Sequence, residues 1–166
     1  MFSELSRDLL SIYLNDHLAG ATVGCELARR AAGSNQGTEL GDFLADFAAE
    51  AEAHRAQLED VMARLGVRRD ELKVGAGWAA EKLGRLKLNG RLFSYSPLSR
   101  VVELEGLIVG STGRQLLWRT LAAAAPDEPR IADIDFVDLL QRSEQDTDGL
   151  REHHAAAITE MLAAGA

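Results

Sequence analysis

The sequence predicts an all-α protein, and three observations support this. The strong helix formers Ala, Leu, Glu and Arg dominate the 166 residues, whereas Val and Ile are sparse. No stretch alternates apolar and polar residues for long, as a half-buried strand would. Only three prolines interrupt the chain, and 46% apolar with 27% charged residues is typical of a globular protein. We therefore expect a single domain, 1–166, with one sizeable core.

Capping signals divide the chain into four long helices. The first runs from about residue 3 to 32 and is ended by Gly33, and the second runs from about 38 to 65 between Thr38 and Gly66. The third spans about 97 to 124 after the cap Ser96, and the fourth spans about 131 to 164. Short connectors at 33–37 and 125–130 predict two antiparallel hairpins, and the long connection 66–96 carries a short helix at about 76–87. This order, with one long crossover, is a standard four-helix-bundle topology.

Charge and composition exclude several functions. A net charge of −8 argues against a nucleic-acid partner, because neutralising phosphates needs a basic patch. The single Cys25 forms no intrachain disulfide and suits a reducing compartment. No signal peptide is visible, and no uncharged run approaches the roughly 20 residues of a membrane span. We expect a cytoplasmic protein without a membrane partner, whose apolar fraction is compatible with a homo-oligomer such as a dimer.

An apolar stripe can be drawn along each predicted helix, and acidic residues interrupt each stripe near its middle. The stripes are Leu5, Leu9, Ile12, Asp16, Ala19 and Val23; Leu40, Phe43, Phe47, Glu50, His54, Leu58, Val61 and Leu65; Leu98, Val101, Glu105, Ile108, Thr112 and Leu116; and Val137, Leu140, Glu144, Thr147 or Asp148, Arg151, His154 and Ile158. Carboxylates gathered inside a protein repel one another unless they are protonated, paired with arginine or bound to a cation. The pattern therefore raises the hypothesis of a metal site that suits iron or manganese.

Two segments carry a family resemblance. EAEAHRAQLEDV, with Glu50 and His54, and LLQRSEQDTDGL, with Glu144, resemble the second and fourth helices of the ferritin-like superfamily, particularly its small stress-associated bacterial members. The resemblance implies a ferritin-like four-helix bundle with a non-haem iron or manganese site, dinuclear or mononuclear, that oxidises ferrous ions or handles peroxide. The ligands it implies are Asp16, Glu50, His54, Glu105 and Glu144, with Asp148 as a sixth. The spacing of Glu50 and His54, and Thr147 where the family places a histidine, depart from the family pattern and leave a vestigial site without metal open.

Two other functions remain open from the residues alone. In a non-catalytic scaffold or interaction module, arginines such as Arg55, Arg114 and Arg151 would pair with the acids. In a small-molecule binder, the glycines of the first and third helices would leave room for a ligand. These glycines are Gly20, Gly24, Gly106, Gly110 and Gly113. Glycine inside a helix costs about 1 kcal/mol relative to alanine, and we expect close helix packing or a dimer contact as the commoner reason for it.

Overall fold

All regular structure among the described residues, 4–70 and 95–163 of the computed structural model, is helical. The four long helices are α1 (Glu4–Ser34), α2 (Glu39–Leu65), α3 (Pro97–Ala124) and α4 (Phe136–Ala163). Two short 3₁₀ turns, Ala125–Asp127 and Pro129–Ile131, connect α3 to α4. The predicted short helix at 76–87 lies outside the described residues. Within the described part of the chain, no helix is long and apolar enough to cross a membrane.

Local capping chemistry sets the ends of α2 and the start of α3, as predicted. The hydroxyl of Thr38 accepts a hydrogen bond from the Gly41 N–H at 3.1 Å. Gly66 ends α2 in the left-handed conformation, with φ of 72°. Ser96 caps α3 in a reciprocal capping box with Ser99, and Pro97 occupies the first turn. Thr38, Gly66, Ser96 and Pro97 have these conformational preferences in their own side chains or backbones, so the sequence alone predicts their positions.

Two predicted boundaries are wrong. Gly33 does not end α1: the helix continues to Ser34, and the positive φ of the following turn belongs to Gly37, at 77°. The start of α4 is several residues later than predicted. The chain first forms the two 3₁₀ turns and buries Ile131, and the Asp138 N–H at the start of α4 donates to the Asp135 carboxylate at 3.0 Å.

Each long helix packs antiparallel to its neighbours. Helix α1 contacts both α2 and α3, and α3 contacts α4. Tyr13 donates to Thr120 at 3.1 Å and Arg30 donates to Glu103 at 3.0 Å, so α1 and α3 run in opposite directions. Glu50 meets Arg142 while Phe43, earlier on α2, lies against His153, later on α4. Helices α2 and α3, which flank the long connection, therefore run in the same direction.

The core has two apolar clusters, one toward each end of the helices. Leu14, Leu58, Trp118 and Phe136 belong to one cluster, and residues of all four helices form the other. That second cluster includes Ala28, Leu44, Phe47, Val101, Leu104, Leu107 and Leu150. Between the clusters lie buried polar side chains. They are His54, Ser111, Ser143 and Thr147.

The predicted stripes are correct for most of α2 and wrong for much of the other three helices. Leu9, Ile12, Leu98, Leu116 and Val137 were placed in the stripes but are more than half exposed. The buried positions lie next to the predicted ones on the helix surface. They are Leu14, Leu18, Leu104, Leu107, Leu117, Leu139, Ser143 and Leu150. A shift of one residue turns a helix face by about 100°, so the acids of the predicted stripes on α3 and α4 turn outward.

Candidate functional site

A cavity of about 360 Å³ lies between α1, α2 and α3. Its rim is exposed and includes Asp16 and Gly20 of α1 and Gly110 of α3. Buried apolar and aromatic side chains form most of its inner wall. They are Phe47, Leu58, Leu107, Leu117 and Trp118. Along the helices, these side chains line the cavity near the boundary between the two apolar clusters.

Glycines hold the cavity open. Gly20 and Gly24 of α1 and Gly110 and Gly113 of α3 all line it, and a Cβ atom built on any of them meets no described atom within 4 Å. Gly106 differs, because its Cβ would lie 3.0 Å from Leu27 Cδ2. Close packing between the helices, one of the two expectations for these glycines, is therefore wrong at four of the five, whereas a dimer contact there stays a prediction.

The α1–α3 register explains why glycines face glycines. The Tyr13–Thr120 hydrogen bond ties the helices together on one side of the cavity, and the Arg30–Glu103 ion pair does so on the other. Gly20 lies about two helical turns after Tyr13, and Gly113 lies about two turns before Thr120. Side chains are therefore missing from both helices at the same level.

The six predicted metal ligands do not come together, and no group of three or more His, Cys, Asp or Glu residues within the described ranges could hold a metal ion. Asp16 lies on the cavity rim. Glu105 contacts His154 at 3.3 Å, and its side chain is 56% exposed. Glu144 pairs with Arg119, and Asp148 pairs with Arg151, both at 3.0 Å on the surface. The six side chains are therefore divided between the cavity rim, the Glu50–His54 pair and the surface, because the stripes of α3 and α4 face differently from the prediction.

Glu50 and His54 are the two predicted ligands that the fold does bring together. Glu50 Oε1 lies 3.2 Å from His54 Nε2, and the Arg142 guanidinium binds the same carboxylate. On its other side, His54 Nδ1 accepts a hydrogen bond from Trp118 Nε1 at 3.0 Å. The indole N–H can only donate, so Nδ1 carries no proton and the single proton of the neutral ring is on Nε2.

A second arginine lies at the same level. Arg114 pairs with Asp146 of α4, and the two side chains are only 12% and 16% exposed. Its Nη2 also donates to Ser111 Oγ at 3.2 Å, and Ser111 in turn hydrogen-bonds Thr147 Oγ1 at 2.8 Å. Two guanidinium groups thus neutralise the two partly buried carboxylates of this region, as the scaffold alternative expected of arginine, although Arg142 was not among the arginines named for it.

Burial controls the ionisation of the groups around the cavity. It lowers the pKa of His54 to about 3, with the nearby positive charges of Arg114 and Arg142 acting in the same direction. It also lowers the pKa of His17 and raises that of the Cys25 thiol to about 12. His54 and His17 are therefore neutral, and the Cys25 thiol is protonated, at neutral pH.

The sequence offered a signal for part of this site and none for the rest. Gly20, Gly24, Gly110 and Gly113 are the signal for the cavity, although glycines inside helices more commonly indicate close packing. Trp118 and Arg142 were missed as partners of His54 and Glu50, because the contacts depend on how distant helices are rotated. Neither family models, curated proteins nor solved structures matched this chain.

Proposed function

We propose that this chain is a four-helix bundle with ferritin-like helix directions whose function is to bind a small, mostly apolar molecule in the cavity between α1, α2 and α3. The antiparallel contacts of α1 with α2 and of α3 with α4, and the parallel course of α2 and α3, support the bundle assignment.

The open glycine-lined cavity is the observation that carries the proposal. Protein interiors are close-packed, and voids larger than a water molecule are few. Here about 360 Å³ is lined mainly by apolar and aromatic side chains with a few polar groups. This size and lining fall in the range of small-molecule pockets. Four helix-interior glycines with open space beside them would cost stability without serving packing, and a ligand gives them a use.

The test is binding of a neutral aromatic hydrocarbon, 2-ethylnaphthalene, measured by calorimetry and ligand-observed NMR. Gly24→Leu and Gly113→Leu place a side chain at the cavity wall and should abolish binding. Gly33→Leu is the matched control: Gly33 is an exposed α1 glycine outside the cavity, with nothing within 4 Å of its Cβ position. The control should bind like the wild type. Equal binding by all four proteins would place the ligand elsewhere, and no binding by the wild type would contradict the proposal.

An iron or manganese function is the second candidate, favoured by the 3.2 Å approach of Glu50 to His54. The donor set does not fit a dinuclear centre, since two protein ligands converge and the Arg142 guanidinium already binds the carboxylate. We therefore expect well under one iron per chain after anaerobic reconstitution with Fe(II). One to two irons per chain, lost in both Glu50→Ala and His54→Ala, would restore the ferroxidase interpretation.

A homodimer also stays a proposal, and the face formed by α1 and α3 supports it best. Ile12 and Leu116 there are 52% and 55% exposed. Most soluble homo-oligomers are two-fold dimers that pair such a face with itself. Light scattering should give twice the chain mass of 18.0 kDa for the wild type and the single mass for Leu116→Glu. Val137→Glu, at an exposed position on α4, is the control and should stay dimeric.

A further inference from the structure

We infer that a second copy of this chain closes the mouth of the cavity, with its α3 antiparallel to the α3 of the first copy, so that ligand binding and dimer formation strengthen each other. This inference rests on the proposed function and specifies how the same site is completed and regulated. It depends on an exposed apolar face, on the order of charges along α3 and on the position of the cavity mouth.

Helices α1 and α3 each have a second apolar face that points away from the bundle. Its members are Leu9 and Ile12 of α1 and Leu98, Val109 and Leu116 of α3, which are 51% to 72% exposed. They are five of the eight large apolar side chains that are exposed among the described residues. Single exposed apolar residues are normal on a protein surface, whereas several on one face indicate an interaction site.

The order of charges makes the outer face of α3 complementary to itself. Glu105 and Arg119 are the most exposed charged side chains of α3, at 56% each. They lie seven residues before and seven residues after Thr112, or about 10 Å along the helix in either direction. A two-fold axis near Thr112 therefore brings Glu105 opposite Arg119 of the partner subunit, and it does so twice. In a parallel pair Glu105 would meet its own copy, and repulsion between like charges opposes that arrangement.

The same axis brings apolar side chains of the two copies together. Val109 lies three residues before Thr112 and Leu116 lies four residues after it, so Val109 comes within one residue of Leu116 of the partner subunit. Val102 and Ala123 lie a further seven residues out in each direction and meet in the same way. Residues spaced by seven share one side of a helix, so these contacts form a continuous line.

Contacts with α4 leave both charged side chains available to a partner. Glu105 Oε1 lies 3.3 Å from His154 Nε2, and Arg119 Nη2 donates to Glu144 at 3.0 Å. Each contact uses one polar atom, and more than half of each side chain stays exposed. A guanidinium has five N–H donors and a carboxylate has two oxygens, so an ion pair across the dimer adds to the contacts within the chain.

The mouth of the cavity lies at the level of this axis. Its exposed rim includes Gly20 of α1 and Gly110 of α3, and Gly113, which follows Thr112, also lines the cavity. A partner α3 packed over Thr112 covers the α3 side of the mouth with the apolar residues of its own outer face. The part of an apolar ligand that would otherwise face water is then buried as well. Ligand and partner therefore favour each other's binding, and such coupling is reciprocal.

The test exchanges charges between two variants. Glu105→Arg and Arg119→Glu each place like charges opposite one another in a self-pair, so each alone should show the single-chain mass of 18.0 kDa in light scattering. An equimolar mixture of the two restores opposite charges at both contacts and should recover the dimer mass. Binding of 2-ethylnaphthalene, measured by calorimetry, should be about tenfold weaker in each single variant and should return to wild-type strength in the mixture.

Two further variants are matched controls. Asp46→Arg reverses a charge at an exposed residue of α2, outside the α1–α3 face, and should change neither the mass nor the affinity. Glu144→Gln removes the α4 partner of Arg119 but keeps both charges of the self-pair, so it should stay dimeric. Far-UV circular dichroism checks that every variant is as helical as the wild type.

Each contrary outcome overturns a specific claim. A dimer that survives in both single variants, or a mixture that stays monomeric, would overturn the antiparallel pairing of α3. Monomeric variants that bind 2-ethylnaphthalene as tightly as the wild-type dimer would overturn closure of the mouth by the partner. A wild type that is monomeric at the concentrations of the test would overturn both. Failure of the wild type to bind 2-ethylnaphthalene, with masses that still follow the charge pattern, would instead refute the proposed function, so the two failures are distinguishable.

Discussion

Alanine substitutions at the cavity glycines should stabilise the protein. Gly20, Gly24, Gly110 and Gly113 lie inside helices, and the added methyl group meets no described atom within 4 Å. Alanine is favoured over glycine in a helix interior by about 0.5–1 kcal/mol, and nothing offsets this gain where the space is open. Each variant should therefore gain about 0.5–1 kcal/mol in the free energy of unfolding, or roughly 1–4 °C in Tm for a chain of this size.

Other glycines of the same chain provide internal controls. At Gly106, the methyl group would meet the flexible end of Leu27 at 3.0 Å, so the net effect should be close to zero. At Gly149, it would lie 2.5 Å from the Phe43 ring. At Gly41, it would lie 2.1 Å from the backbone oxygen of Asn35, which cannot move without disturbing the turn. We expect losses of about 1–3 kcal/mol at Gly149 and at least that much at Gly41.

Urea unfolding of each single variant at 25 °C measures these differences. If alanine at Gly24 and Gly113 destabilises the protein as it does at Gly41, the two helices are in close contact there and the cavity does not exist in solution. If alanine stabilises the protein at these positions while weakening 2-ethylnaphthalene binding, the glycines are kept at a cost in stability for the ligand. The combined variant should gain less than the sum of its parts, because facing positions couple.

Three further predictions concern the groups around the cavity. In the folded chain, burial lowers the pKa of His54 from its ordinary 6.5 to about 3. Between these two values the unfolded chain binds the extra proton, so the free energy of unfolding falls as the pH falls, by at most about 1.4 kcal/mol per pH unit. Unfolding measured from pH 7 to 5 should show a smaller slope for His54→Asn, and an identical slope would contradict the low pKa. Asp146→Asn leaves the buried Arg114 without its counterion, so the free energy of unfolding measured in urea should fall by about 2–4 kcal/mol. Asp138→Asn, at an exposed ion pair, is the control and should lower it by less than about 1 kcal/mol. Equal losses would show that burial of the Arg114–Asp146 pair does not matter. Burial raises the pKa of the Cys25 thiol from 9.0 to about 12, so very little thiolate is present at pH 8. Iodoacetamide should therefore alkylate the native protein at pH 8 about a thousandfold more slowly than the urea-unfolded chain. Comparable rates would show an accessible thiolate.

The fold class and several helix ends followed from local chemistry. Thr38, Gly66 and Ser96 act at the positions the sequence predicted, because a cap depends on a few neighbouring residues. Gly33 failed as a stop signal because a glycine can continue a helix, and the connector contains a second glycine, Gly37, that takes the left-handed conformation.

The apolar residues of α3 and α4 alone do not decide which face of each helix is buried. Both helices carry apolar residues at two adjacent registers, so Leu98 and Leu116 offered one stripe while Leu104, Leu107 and Leu117 formed the buried one. The predicted stripe includes the acids, and it would place Glu105 and Glu144 in the interior. Carboxylates strongly prefer water unless a partner is buried with them, and a stripe that avoided acids would have predicted the observed faces.

In the candidate site, too, contacts within one helix could be predicted from the sequence, whereas contacts between helices could not. Glu50 and His54 lie one turn apart on one helix, so their contact was predictable. Trp118 of α3 and Arg142 of α4 reach this pair only when the helices are packed, and no spacing along the sequence encodes that. The glycine pattern in a sequence is the same whether the two helices are in contact or are separated by a cavity. The structure decides between these cases because it shows which atoms lie beside each Cβ position.

The arginines also clarify when acids inside a helix assembly indicate a metal. A divalent cation and a guanidinium are alternative counterions for a carboxylate, and they differ in the geometry and charge they require. Arg142 neutralises Glu50 and Arg114 neutralises Asp146, so these carboxylates have the positive charge that a metal would otherwise supply. Among the described residues, what lacks a partner there is not negative charge but two buried N–H donors, His54 Nε2 and Arg114 Nε. An N–H group cannot coordinate a cation, so neither of these two atoms adds a ligand to a metal site.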